Sequence, residues 1–260
     1  MGTRVTDSTA QFGLINRVAV VTGASDGIGR MLASGLARAG ADIVLCSRRI
    51  EKLEQVKAEI EQVGRRAEIC SLDICKLDDL HRLKSFILDR FSKADILVNA
   101  AGFTVTKPAW DVEEAEWDMM FDVGFKGLFF CCQIVGSIMR ERGYGKIINL
   151  SSTLSRTIIK GRSVYGGIKA GVSHLTEALA LEWAEHGIRV NALAPTGVLT
   201  PSRSTLFQGD FLKGILARIP LGRLATPDDL TNAAIYLSSP ASDFVTGHTL
   251  FVDGGWVAAS

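Results

Sequence analysis

The chain has 260 residues, 47% hydrophobic and 22% charged, and 29 Lys and Arg against 28 Asp and Glu leave a net charge of +1. That is the composition of an ordinary soluble globular domain large enough for a substantial core, and the balanced charge removes the electrostatic argument for nucleic acid or an anionic membrane as partner. The first fourteen residues lack a signal peptide's apolar core, and no run of about eighteen uncharged apolar residues marks a membrane span, so a cytoplasmic location is expected.

In chain order, a short tail at 1–13 precedes a strand-like run at 18–21, which passes through Thr22 into Gly23-Ala24-Ser25-Asp26-Gly27-Ile28-Gly29 and opens a helical pattern. Missing side chains at the three glycines allow a tight turn and close backbone approach to a pyrophosphate, which the amides at the helix start would hold. The second run, 43–46, ends in Ser47-Arg48-Arg49. An acidic residue there would bind a free ribose 2′-hydroxyl, whereas a guanidinium suits a 2′-phosphate. Arg48 therefore favours NADP(H), with NAD(H) the alternative if the arginines are a solvated pair opening the helix at 50–63. Asp26 tempers the preference, because a carboxylate beside the 2′-phosphate would repel it unless turned away.

After the third run, 67–71, Asp73-Ile74 offers a carboxylate either to an adenine amine or to the start of the next helix. The fourth run, 96–98, leads to Asn99-Ala100-Ala101-Gly102, small residues that let the backbone pass close to a ribose. A long apolar helix is expected over 113–142, then a strand at 146–150, Ser152, and a helix at 164–185 that opens with Tyr165 and Lys169. Four-residue spacing puts those two side chains on one helix face. A phenol with a pKa of about 10 is a poor base at neutral pH, and an adjacent ammonium favours its phenolate. A strand at 189–192 runs on to Pro195, Val198 and Thr200; the less regular 201–220, with Arg203, Phe207 and Phe211, is the expected substrate lid; and a last strand at 249–252 precedes Asp253-Gly254-Gly255.

Seven short apolar runs separated by helices predict a doubly wound, Rossmann-type α/β fold: one parallel sheet of about seven strands with helices on both faces, forming a single domain over 14–260. The five cysteines, Cys46, Cys70, Cys75, Cys131 and Cys132, are odd in number, mostly sit in apolar runs and imply no disulfide framework. His81, His174, His186 and His248 are scattered without ligand-like spacing, so no metal is expected.

In this order and spacing, the glycine loop, Asn99-x-Ala101-Gly102, Ser152, Tyr165-x3-Lys169 and Asp253-Gly254-Gly255 resemble the short-chain dehydrogenase/reductase family over nearly the whole chain, its 3-oxoacyl carrier-protein reductase and gluconate 5-dehydrogenase-like members in particular. The resemblance implies Tyr165 as the acid/base, Lys169 lowering its pKa and holding the nicotinamide ribose, and Ser152 orienting the substrate oxygen. It also implies Pro195, Val198 and Thr200 beside the carboxamide, and a homotetramer. The substrate would be a small ketone or secondary alcohol, with keto sugars, sugar acids and 3-oxoacyl thioesters as leading classes. Arg156, Lys160 and Arg162, between Ser152 and Tyr165, would meet an anion or form a solvated loop.

Three positions depart from the family pattern. Gly124 stands where an Asn usually anchors a water to the catalytic Lys, so the proton relay is expected to run through solvent; Ala100 replaces a second Asn, and Thr196 follows Pro195 where Gly is usual. These departures motivate the rival reading of a catalytically weak dinucleotide-binding sensor or scaffold. An NAD-linked polyol or sugar dehydrogenase is the enzymatic rival.

Overall fold

The apolar runs become parallel strands because helices lie between them, and only a crossover can return the chain to the same end of a sheet. The structure, a computed structural model, describes residues 11–200 and 208–260. Strands β1 (Val18–Thr22), β2 (Asp42–Ser47), β3 (Ala67–Ser71), β4 (Ile96–Asn99), β5 (Gly145–Leu150), β6 (Ile188–Pro195) and β7 (Thr249–Val252) form one sheet in the order β3-β2-β1-β4-β5-β6-β7. All neighbours pair in parallel. The chain winds outward from β1 to β3 and then returns to β4, so the switch point falls between the carboxyl ends of β1 and β4, where such sheets bind ligands. Strand β6 continues past the expected 192 because Pro195 still pairs with Val252.

Alternate strand residues point to opposite faces, and both faces are covered, which is why the runs read as continuously apolar. Val20, Val44, Leu97 and Ile147 meet α3 (Leu77–Phe91), α5 (Gly127–Arg142) and α6 (Ser163–Trp183). Val21, Ile43, Leu45 and Ile96 meet α1 (Gly27–Arg38), α2 (Ile50–Gln62) and α8 (Pro227–Ser238). All five cysteines are free thiols, and burial pushes the Cys132 thiol up to about 12, which keeps it protonated.

The helix expected over 113–142 is interrupted. Helix α4 (Glu114–Phe121) passes through a π-helical turn at Asp122–Lys126 before α5 begins. Gly124 is buried in that turn, and a Cβ there would stand 3.1 Å from Ile168 Cγ2. By length and composition Glu114–Arg142 would pass for a membrane span, contrary to the reading of the sequence, but half of its apolar window is buried within the protein.

Beyond the carboxyl ends of the strands lies a third, smaller cluster of Ile219, Leu224 and Trp256, with Ile159, Leu212, Ile215, Leu216 and Val257 packed on it. Helix α7 (Gly209–Leu216) belongs to it and falls within the expected lid. Arg203 and Phe207 lie outside the described residues, and Phe211 on α7 is exposed.

Candidate active site

The turn from β1 into α1 is a matter of sterics. Gly23 has φ +68°, and a Cβ there would lie 2.8 Å from Ala101 Cα; a Cβ on Gly29 would lie 2.3 Å from Gly23 O. Neither position admits a side chain without moving backbone. Gly27 also takes a positive φ, +55°, and Asp26 caps α1 by accepting from Gly27 N at 2.7 Å. Thr22 Oγ1 accepts from Ala100 N at 3.2 Å and Ala101 N at 3.3 Å, fixing the glycine loop to the strand end that would face the ribose. A Cβ on Gly102 would meet nothing within 4 Å, which leaves this side of the cleft open.

Asp26 does not stand as an unopposed carboxylate. Lys52 Nζ lies 2.9 Å and Arg49 Nη1 3.5 Å from its Oδ2. Arg49 also donates to Ser25 Oγ at 3.2 Å, which in turn accepts from Ser47 Oγ at 2.9 Å. Arg48, by contrast, is exposed and its guanidinium makes no hydrogen bond or ion pair among the described residues; its charge is felt at Cys75, beyond the end of β3. The two arginines thus divide: Arg49 and Lys52 offset Asp26, and Arg48 stays available at the rim. Lys52 escaped the sequence reading because its position on the helix gave no sign of which residue it faced.

Asp73 does not cap α3, whose first turn begins at Leu77. Its carboxylate accepts from Cys75 N at 3.2 Å and its own N–H donates to Asp79 Oδ2 at 2.9 Å, so Asp79 orients the Asp73-Ile74 turn toward the cleft end of β3. Asn99 Nδ2 donates to Asn149 Oδ1 at 3.0 Å, and Asn149 Nδ2 donates to Thr176 Oγ1 at 3.0 Å. These bonds join β4, β5 and α6 in one buried polar chain. Asn99 also donates to Cys132 Sγ at 3.1 Å, while Asn99 Oδ1 is buried with no hydrogen-bond partner among the described residues. The Asn99–Asn149 pairing follows from the parallel register of β4 and β5.

Two serines close β5, and their surroundings distinguish them. Ser151, 1% exposed, donates to Lys169 O at 3.1 Å and lies 2.8 Å from Ser173 Oγ, fastening α6 to the strand end. Ser152, 8% exposed, accepts from Leu154 N at 3.2 Å, so among the described residues its hydroxyl proton has no acceptor. The turn after Ser152 lies against α6, with Leu154 O 3.4 Å from where a Cβ on Gly166 would stand. On the same helix Lys169, 5% exposed, donates to Leu150 O at 2.5 Å, and its Nζ lies 5.6 Å from the centre of the Tyr165 ring. Ser152, Tyr165 and Lys169 therefore gather at the carboxyl end of β5. Arg162 donates to Thr104 Oγ1 at 2.7 Å and Arg156 lies over the Phe251 ring at 5.9 Å.

Opposite them, Pro195 ends β6 and the next residues are pinned to Ala225. Ala225 N donates to Gly197 O at 2.9 Å and Leu199 N donates to Ala225 O at 2.9 Å, with Val198 and Thr200 buried between.

A parallel sheet with a glycine turn at its switch point and a Tyr–Lys pair beside it defines a dinucleotide-dependent oxidoreductase. A family model described as Enoyl-(Acyl carrier protein) reductase matches residues 23–257, and the chain belongs to the short-chain dehydrogenase/reductase family. The 2-dehydro-3-deoxy-D-gluconate 5-dehydrogenase of Escherichia coli is 39% identical over 252 residues, covering 95% of this chain and 98% of the relative. The NAD-dependent glycerol dehydrogenase of Listeria innocua is 34% identical over 94% of this chain and 95% of its own. The crystal structure of a gluconate 5-dehydrogenase from Burkholderia cenocepacia in complex with NADP and tartrate superposes with a TM-score of 0.92 at 36% identity, over 96% of this chain and 98% of that one. The chain is accordingly a nicotinamide-dinucleotide-dependent dehydrogenase acting on hydroxyl groups of small molecules.

Proposed function

We propose that the protein is an NADP(H)-dependent dehydrogenase that interconverts a ketone and a secondary alcohol on a sugar acid, with Tyr165 as general acid/base and Lys169 and Ser152 assisting. The observation that carries this reading is the Tyr165–Lys169 pair on α6, whose Lys169 donates to Leu150 O two residues before Ser152 at the carboxyl end of β5. When bound, the nicotinamide supplies the hydride donor or acceptor. Tyr165 gives its phenolic proton to the carbonyl oxygen in reduction and removes the hydroxyl proton in oxidation. The Lys169 ammonium favours the phenolate, and Ser152 donates a hydrogen bond to the oxygen as negative charge develops on it.

The residues suit the cofactor. Gly23, Ser25, Asp26, Gly27, Ile28 and Gly29 form the turn for the pyrophosphate; Asp73 and Ile74 would border the adenine; Asn99, Ala101 and Gly102 the ribose; Pro195, Val198 and Thr200 the carboxamide. Arg48, with Ser47 and Arg49 beside it, would hold a 2′-phosphate, and the pairing of Asp26 with Lys52 and Arg49 removes the repulsion that argued against NADP. NADP is the cofactor named with the gluconate 5-dehydrogenase structure, and an NAD-dependent relative keeps NAD(H) as the alternative. The sugar-acid assignment follows the gluconate-type relatives and the cationic loop of Arg156, Lys160 and Arg162. Helix α7 would form part of the lid over 201–220. Exposed Trp117, Phe121 and Leu181 on α4 and α6 support a homotetramer, and a cytoplasmic location is part of the same reading.

The test is turnover by purified protein of NADP+ or NAD+ with D-gluconate, and of NADPH or NADH with keto sugar acids, keto sugars, diketones and 3-oxoacyl thioesters, with Tyr165→Phe as control. Turnover with sugar acids that disappears in the variant is expected. Tight cofactor binding without turnover of any compound would instead support a sensor or scaffold.

A further inference from the structure

The small cluster around Trp256 joins three pieces of chain that both sheet cores leave out. Helix α7 has no fully buried side chain and meets the cluster through Leu212, Ile215 and Leu216; Ile159 comes from the stretch between Ser152 and Tyr165, and Trp256 and Val257 follow β7. Trp256 is 2% exposed. Its indole N–H donates to Thr157 Oγ1 at 3.0 Å, and Arg218, just past α7, stacks over the ring at 4.2 Å.

Thr157 is the far end of the turn that starts at Ser152. Its hydroxyl and its N–H both donate to Thr153 O, at 3.1 and 3.0 Å, and Ser155 Oγ donates to Ser152 O at 2.8 Å. Trp256 is itself held from below, because the Asp253 carboxylate accepts from Gly255 N at 3.0 Å and Val257 N at 2.9 Å. The exit of α7 lies directly on this backbone: a Cβ on Gly254 would meet Ile219 Cγ2 at 2.7 Å, and one on Gly255 would meet Pro220 Cγ at 3.0 Å. Leu221 N completes the contact by donating to Gly254 O at 3.1 Å.

We infer that Trp256 is a positioning residue for the reaction: through Thr157 it orients the turn carrying Ser152, and through its ring it seats α7, so that covering the substrate side and aligning Ser152 are one event. The inference rests on the reading of Ser152 as the residue that binds the substrate oxygen. A purely structural tryptophan would lower stability when altered without acting through Ser152.

The experiment compares Trp256→Phe, which keeps a ring and loses the N–H, with Thr157→Val, which keeps the volume and loses the acceptor. Each is made alone, together, and in a Ser152→Ala background, with D-gluconate and NADP+ as the probe pair. Each single change is expected to lower kcat/KM about three- to tenfold, and the pair to lower it by less than the product of the two, since both remove the Trp256–Thr157 bond while Thr157→Val also removes the bond to Thr153 O. NADP+ affinity should stay within about twofold, and the loss should vanish in the Ser152→Ala background. Hydrogen exchange on the NADP+-loaded enzyme should rise together at 153–162 and 209–219 in both single variants and remain unchanged at β4 and β5.

Additive losses, a full loss retained in the Ser152→Ala background, or faster exchange confined to the substituted segment would overturn the inference. Where D-gluconate is not turned over, the exchange pattern decides it. A Ser152→Ala enzyme that turns over at the wild-type rate would remove the catalytic reading of Ser152, and the inference with it, even where exchange shows the two segments still coupled.

Discussion

The proposed cofactor side and the proposed substrate side of this cleft are built on different terms. The cofactor side is local: a turn of seven residues from Gly23 to Gly29, strand ends held by Thr22, and small residues wherever backbones approach. The substrate side is assembled from Ile159, Leu212 and Trp256, with a hydrogen bond spanning 99 residues from Thr157 to Trp256. Between them runs the buried chain from Asn99 through Asn149 to Thr176, which ties β4 and β5 to α6, the helix that carries Tyr165 and Lys169. A steric rule written in consecutive residues admits few solutions, whereas a small apolar cluster can be repacked. Within one family, the first side is suited to a common cofactor and the second to varied substrates.

The largest effect should come where the two sides meet. Tyr165→Phe removes the proposed proton donor while leaving the ring beside Lys169, so turnover is expected to fall about 10²–10⁴-fold with NADPH binding retained in a fluorescence titration; near-wild-type turnover would remove Tyr165 from the mechanism. Next is Gly29→Ala, whose Cβ would be 2.3 Å from Gly23 O. Cofactor affinity should weaken about tenfold or more while the sheet still folds by circular dichroism. A variant that binds NADPH normally would mean that the turn yields and that the cofactor side is no more rigid than the other.

Arg48→Ser sharpens the contrast within the cofactor side. The exposed Arg48 guanidinium would make charge-assisted bonds to a 2′-phosphate, whereas Arg49 is engaged with Ser25 and Asp26. Arg48→Ser should therefore lower the NADPH-over-NADH preference in kcat/KM about ten- to a hundredfold, and Arg49→Ala should lower it less. An unchanged ratio in Arg48→Ser, or a greater fall in Arg49→Ala, would reassign the phosphate site.

These differences also explain what was legible in the amino-acid order. The seven strands, their parallel pairing and the glycine loop follow from hydrophobic runs and residues adjacent in sequence, and Tyr165 and Lys169 share a face by helix geometry alone. The π turn at Gly124 was not legible, because an apolar stretch reads as unbroken helix until its packing against Ile168 is known. Nor were the compensation of Asp26 by Lys52, the choice of Ser151 rather than Ser152 as the fastener of α6, or the third cluster. Each depends on which distant side chain arrives in space, and polar or apolar periodicity carries no such address.

The smallest expected effect tests whether the proposed nicotinamide side is held by its own neighbours or from behind. Ala225 pins Gly197 and Leu199, and the next residue, Thr226, caps α8: Asp229 Oδ2 accepts from Thr226 N at 2.7 Å and from Thr226 Oγ1 at 2.8 Å. Arg223 pairs with both oxygens of Asp229, at 2.6 and 3.1 Å, and this guanidinium, with the Thr226 hydrogen bonds, holds the Asp229 carboxyl far below the ordinary carboxylate range. A carboxyl whose pKa is lower folded than unfolded binds fewer protons in the native state, so its stabilisation is complete above the unfolded value of about 4 and declines as pH falls below that value. The pair is partly exposed, with side-chain exposures of 54% for Arg223 and 30% for Asp229, so solvent and salt limit its contribution. Asp229→Asn should thus lower the melting temperature modestly at pH 7, with the difference from wild type narrowing as pH is taken below about 4. If Ala225 transmits the cap to Gly197 and Leu199, NADPH affinity at pH 7 should weaken in parallel with that loss; a lower melting temperature with unchanged affinity would mean that the nicotinamide side, like the glycine turn, is held by its own local contacts.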